Sequence, residues 1–313
     1  MRKLFTAPSN NFNMQQAIIS MFAGDVFGRT LLGRPYRSPL PPLAVLLAFI
    51  PTAYADGPPL WEAGLGVAPL VFPDYRGSSK YRAHVLPLPY VIYRGDILRI
   101  DRQGVRGRLF ETPRLRLEMS ADGAVPVISD DNPRRRGMPD LDPIFELGPS
   151  LNVFLHQGEL VRTRLRLPAR AVMATDFRSV QHVGWKAHPQ ISLDIPAAVQ
   201  GWNLGLSVGP LFGDRRYHGY YYGVSPTHAT PSRPAYQASG GYSGAAVLLS
   251  TSRRFNRTWF GAFLRYDNLD GAVFLDSPLV ETRHAVMAGM AVTWVFKQSS
   301  RHAPARWQGT DEL

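Results

Sequence analysis

Apolar and polar residues alternate along most of this chain, and a two-residue period predicts β-strands. The clearest stretch is Trp202 to Phe212. Its even positions are Trp202, Leu204, Leu206, Val208, Pro210 and Phe212, while Asn203, Gly205, Ser207 and Gly209 take the other face. The last such stretch repeats the pattern, with Val286, Ala288, Met290, Val292, Trp294 and Phe296 opposite Gly289, Ala291 and Thr293. Elsewhere the second face is charged. In Leu160 to Met173, the residues Arg162, Arg164, Arg166 and Arg170 share one side, against Val161, Thr163, Leu165, Leu167, Ala169 and Ala171. The same split sets Arg114, Arg116 and Glu118 opposite Leu115, Leu117 and Met119. It also sets Glu146, Ser150 and Asn152 opposite Phe145, Leu147, Leu151 and Val153.

A charged strand face is the solvent side of a soluble sandwich or the lumen of a membrane barrel. The segments number about twelve, near residues 61–72, 82–93, 96–101, 105–110, 113–121, 143–156, 159–173, 182–196, 201–212, 240–252, 256–267 and 282–296. The expected fold is all-β, a transmembrane antiparallel β-barrel of about twelve strands, or ten if the short segments near 96–110 do not form. With the first strand rising from the periplasm, the long connections 122–142, 213–239 and 268–281 face outside and the short ones face the periplasm.

The chain's N-terminal region supports export. Pro39 to Ala55 is apolar, follows Arg34 and Arg37, is too short to span a bilayer, and ends Ala53-Tyr54-Ala55. Residues 1–55 therefore read as an N-terminal extension and signal peptide cleaved after Ala55, residues 56–296 as the barrel, and residues 297–313 as a polar, disordered tail.

Composition narrows the chemistry. The 28 Gly, 27 Pro, 13 Tyr and 6 Trp suit strands, turns and interfacial aromatics, and the absence of cysteine excludes disulfides and thiolate sites. Of the formal charge of +11, residues 1–55 carry five Lys or Arg against one acid, which leaves +7 for the rest. Basic residues can line a pore or meet anionic lipid as readily as nucleic acid, and no nucleic-acid reader motif is present.

Several segments together carry a family resemblance: G-L-G-V-A-P at Gly64 to Pro69, P-D-Y-R-G-S at Pro73 to Ser78, and L-P-L-P-Y-V-I-Y-R-G-D at Leu86 to Asp96. R-G-M-P-D-L-D-P at Arg136 to Pro143 and E-L-G-P-S-L at Glu146 to Leu151 complete the set. On these the chain resembles the MipA/OmpV family of outer-membrane proteins over roughly Trp61 to Phe296. The resemblance implies a monomeric barrel in outer-membrane lipid and, for the founding member, a platform joining a lytic transglycosylase to a murein synthase. Other members look like adhesins or stress-related barrels. Such barrels usually end on an aromatic residue, whereas Phe296 is followed by seventeen more residues.

No catalytic constellation emerges. Ser243 lies in G-Y-S-G-A, which is not a nucleophile elbow, and the histidines lack metal-ligand spacing. Asp130, Asp131, Asp140 and Asp142 surround Arg134, Arg135 and Arg136, which reads as an ion-pair network before it reads as a calcium site. The candidate sites are thus a lumen charge network of Arg114, Arg116, Glu118, Glu146, Arg162, Arg164, Arg166 and Arg170, and the family-motif loop with Arg136, Gly137, Met138, Pro139, Asp140 and Asp142. Glu62, Asp101, Asp194 and Asp267 can pair with the arginines inside. No catalytic residue, metal or cofactor is expected. The expected function is a non-catalytic scaffold linking a murein hydrolase and a murein synthase, with a narrow anion-favouring channel or a surface adhesin as alternatives.

Overall fold

Alternating strands must bury every backbone N–H and C=O if they are to cross a bilayer, and closure into a barrel achieves this. The structure, a computed structural model, describes residues 58–101 and 104–303. The expected signal peptide, the Ala55 cleavage site and residues 304–313 lie outside the described residues, as does the side chain of Asp101.

The strands are β1 (Trp61–Pro73), β2 (Tyr81–Arg94), β3 (Leu98–Asp101), β4 (Gly104–Glu111), β5 (Leu115–Ala124), β6 (Ile144–Gln157), β7 (Arg162–Thr175), β8 (Val180–Ala187), β9 (Gln190–Val199), β10 (Trp202–Gly213), β11 (Gly241–Phe255), β12 (Thr258–Asn268) and β13 (His284–Gln298). All pairings are antiparallel, and β1 pairs with both β2 and β13, so the sheet closes. The segments β8 and β9 share one place in the wall, each pairing with β7 on one side and β10 on the other. The barrel therefore has twelve strands, one of them broken at His188-Pro189. Proline has no N–H to give the ladder there.

Outward side chains form an apolar belt: Leu65 and Val67 on β1, Leu204 and Val208 on β10, and Met290 and Val292 on β13 are all exposed. Aromatic residues border it, with Phe110, Phe255, Trp294 and Phe296 near the lower rim and Tyr81, Phe212 and Tyr266 near the upper one. The lower connections are short, whereas three of the upper ones, 125–143, 214–240 and 269–283, are long.

Two features depart from a uniform cylinder. First, β3 pairs with β2 only at Tyr93↔Ile100 and Arg94↔Arg99. Above that point β2 has β1 on one side and, among the described residues, no strand on the other. The Arg94 N–H donates to Leu60 on the β1 side. Alternation then turns the N–H positions of odd-numbered β2 residues toward the open side. Pro87 and Pro89 occupy two of those positions and offer no donor. Second, the chain beyond β13 is paired at its start. The N–H of Ser299 donates to Trp61, Leu60 donates to Arg301, and Ala303 donates to Pro58. Residues 299–303, expected in a disordered tail, thus form with residues 58–61 a short antiparallel strap below the lower rim.

Candidate functional site

The barrel interior is filled in two different ways. On β1, β2, β12 and β13 the middle of the inner face is apolar, with charged residues toward the ends, and Ala68, Leu70, Leu88, Tyr90, Ile92, Trp259, Ala291 and Val295 form one buried cluster. Pairing of arginines with acids was the expected filling of the interior, and along these strands apolar side chains fill its middle instead. Here alternation says less, because both faces of β2 are apolar from Val85 to Ile92.

On the opposite wall the inner faces are charged. Arg116, Glu118, Glu146, Arg166 and Arg170 are buried, and Arg162 and Arg164 half-buried. Arg114 does not join them. It is exposed on the turn before β5, since the strand begins one residue later and the alternation does not extend to it. Toward the lower rim Glu62 accepts from Arg94 at 2.7 Å and meets Arg254 at 2.6 Å, joining β1, β2 and β11. Between the lower rim and mid-height Arg116 lies 2.5 Å from Glu111, Arg164 lies 3.7 Å from Asp194, and Arg106 lies 3.6 Å from Glu118. Higher up, Arg170 reaches Asp122 at 2.8 Å and Glu146 at 3.5 Å, and Lys186 reaches Glu146. Asp267 takes both Arg265 and Arg76 at 2.7 Å. Register sets only some of these pairs: Arg116 lies directly opposite Glu111, whereas Asp122 lies opposite Glu146 and Arg170 opposite Lys186, and there the like charges are relieved because Arg170 and Lys186 reach across to the two acids.

The upper mouth is covered. Loops 74–80, 125–143, 214–240 and 269–283 pack together around Tyr75, Val127, Leu141, Tyr222, Leu269, Phe274 and Leu279. Tyr222 stacks on Phe274 with centroids 3.7 Å apart, and the Tyr75 hydroxyl donates to the Leu279 carbonyl. The 214–240 loop carries a helix that sequence reading missed, α1 (Arg215–Tyr222). Its start is set by Asp214, whose carboxylate accepts from the Tyr217 N–H at 2.8 Å. This first turn sits against Gly184, where φ is +130° and a Cβ would collide with Asp214 and Tyr217.

The family-motif loop folds on itself as part of this cover. Asp140 accepts from the Ser129 N–H at 2.6 Å, Asp130 from the Gly137 N–H at 3.0 Å, and the Asp142 N–H donates to the Tyr220 hydroxyl at 2.7 Å. Burial pushes the Tyr220 phenol up to about 12. Met138 packs against the apolar cluster, and Gly137, with φ of +76°, turns the chain. Arg136 is exposed. The buried arginine is its neighbour Arg135, which donates to the carbonyl of Pro139 and to the Ser129 hydroxyl. Arg233, from the 214–240 loop, donates to the Arg134 and Arg136 carbonyls at 2.9 Å each and so ties the two loops together. Asp131 turns instead to Arg82 of β2 at 3.0 Å. Among the described residues no three acidic or histidine side chains gather in a metal-binding cluster.

Beneath the cover His218 and Ser243 meet. The His218 Nδ1–H donates to the Ser239 carbonyl at 2.6 Å, which leaves Nε2 to accept from the Ser243 hydroxyl, also at 2.6 Å. Both residues are buried, with Phe274 against the imidazole. This geometry locks α1 to β11. Burial holds the His218 imidazole below its ordinary 6.5, the hydrogen bond to Ser239 opposing in part. Since the unfolded loop protonates more readily, the cover is at full stability above 6.5 and weakens as pH falls below it. Protease nicking within 214–240 is expected to speed up between pH 7.5 and 5.5 and to lose most of that dependence in His218→Gln. A pH-independent nicking rate in the parent barrel would contradict this.

The sequence model of the family described as MltA-interacting protein MipA matches residues 65–296. No curated protein matches the chain in sequence. Among solved structures, a bacterial polysaccharide outer membrane secretin is 9% identical with a TM-score of 0.40, over 75% of this chain and 99% of that one. OprB of Pseudomonas putida at high pH is 9% identical with a TM-score of 0.34, over 75% and 94%. The outer membrane protease OmpT of Escherichia coli is 9% identical with a TM-score of 0.27, over 75% and 96%.

Proposed function

The chain belongs to the MltA-interacting protein MipA family, and from that membership we propose that this outer-membrane barrel is a non-catalytic scaffold for murein enzymes. The observation that carries the reading is the filled and covered interior. A conducting barrel needs a continuous polar path, and here an apolar cluster, ion pairs and a four-loop cover lie across it. What is left to act is the outer surface. The strap of residues 58–61 and 299–303 supports a contact on the periplasmic side, because it extends ordered backbone beyond the short turns. The partners proposed are a lytic transglycosylase and a murein synthase, with the lower rim and the strap as the docking surface.

The test immobilises the refolded mature barrel in detergent and identifies what it retains from a periplasmic extract. The expected result is recovery of a lytic transglycosylase or a murein synthase, lost when residues 299–303 are replaced by a Gly-Ser stretch. If neither enzyme is retained by sound barrel, the scaffold role fails. Planar bilayers provide the other arm. No sustained conductance is expected, and a steady open level that changes in Arg164→Gln and Arg166→Gln would favour an anion channel instead.

A further inference from the structure

Asn152 lies on the inner face of β6, directly opposite Arg116 on β5 and Arg166 on β7. It is 3% exposed, and each of the two arginines 4%. Its side-chain nitrogen has no hydrogen-bond acceptor. A buried donor without an acceptor is rare in folded proteins and points to a bound water or ion.

The charge around it favours an ion. Glu118 is the carboxylate at the centre of this patch, and its charged neighbours are Arg106, Arg166, Arg116 and Arg164. Two of these, Arg116 and Arg164, also reach acids at the edge of the patch, Glu111 and Asp194. Cations thus outnumber carboxylates in a region shut off from bulk water, where repulsion between like charges is poorly screened. A water molecule would satisfy the amide but leave the excess charge. An anion does both.

We propose that the lumen holds a small inorganic anion, of chloride size, against the Asn152 side-chain amide between Arg116 and Arg166. The anion pins the inner faces of β5, β6 and β7 together, and it does so whether or not the barrel binds murein enzymes.

The test compares the refolded barrel in chloride and in gluconate at equal ionic strength, reading the thermal midpoint from heat-modifiable gel mobility. The midpoint is expected to be about 5 °C higher in chloride. Asn152→Asp sets a carboxylate at the same place, so it is expected to fold and to show equal midpoints in the two salts. Should that variant fail to fold, Arg166→Gln is read instead, and its reduced cation excess is expected to shrink the difference. Equal midpoints for the parent barrel overturn the proposal. So does an Asn152→Asp barrel, or in its place an Arg166→Gln barrel, that keeps the full parent difference, because the anion then acts elsewhere.

Discussion

Replacing Asp267 with alanine is expected to destabilise the barrel by about 3–5 kcal/mol, the range for breaking a buried charge pair from one side. Asp267 is fully buried on β12. Its carboxylate accepts from Arg265 Nε at 2.7 Å and Nη2 at 2.8 Å, and from Arg76 Nε at 2.7 Å. Without it two guanidinium groups face each other inside the wall. The damage extends upward, because Arg76 belongs to loop 74–80 and its carbonyl accepts from the Tyr222 hydroxyl in the cover. Denaturant unfolding in micelles measures the loss, and Asp267→Asn, which keeps the volume and one acceptor oxygen, should fall between parent and alanine. A loss under about 1 kcal/mol would mean that the arginines find other partners, as exposed pairs do.

The second large effect concerns two tryptophans on opposite faces. Trp259→Ala is expected to cost about 3–5 kcal/mol, the usual range for removing a large side chain from a packed interior. Trp259 is 1% exposed within the lumenal apolar cluster, and Gly261 beside it leaves room for the ring, since a Cβ there would collide with it. Trp294, on β13, is 58% exposed toward the membrane side. Trp294→Ala is expected to change stability by about 0.5 kcal/mol, as surface substitutions do. Equal losses for the two would show that the lumenal cluster is not a packed core.

Much of the wall was legible because side-chain direction in a strand follows from parity alone. Arg162, Arg164, Arg166 and Arg170 could be assigned to one face without knowing their partners, and the long and short connections could be assigned to opposite rims. Parity failed where the strand itself ended. Arg114 lies one residue outside β5, and the single strand expected at 182–196 breaks at His188-Pro189. The cover was hidden for a different reason. Its packing joins Tyr75, Leu141, Tyr222 and Leu279, which are far apart in sequence, and no local period records such contacts. Helix α1 had only the Asp214 cap as a signal, since R-R-Y-H-G-Y-Y-Y has no apolar stripe. Asn152 was placed on the inner face, but its missing acceptor depends on the register of three strands.

The short β3–β4 hairpin gives the barrel an uneven hoop strength. Between β1 and β2 thirteen residue pairs hold the wall, whereas β2 and β3 are joined at two. A cylinder rolled from a sheet parts along its least fastened edge, so a force that widens this barrel would open it there, from the upper rim down to Tyr93. The two prolines on that free edge also make it a poor template for a stray strand. The wall can therefore yield at that seam without inviting a neighbour to zip onto it.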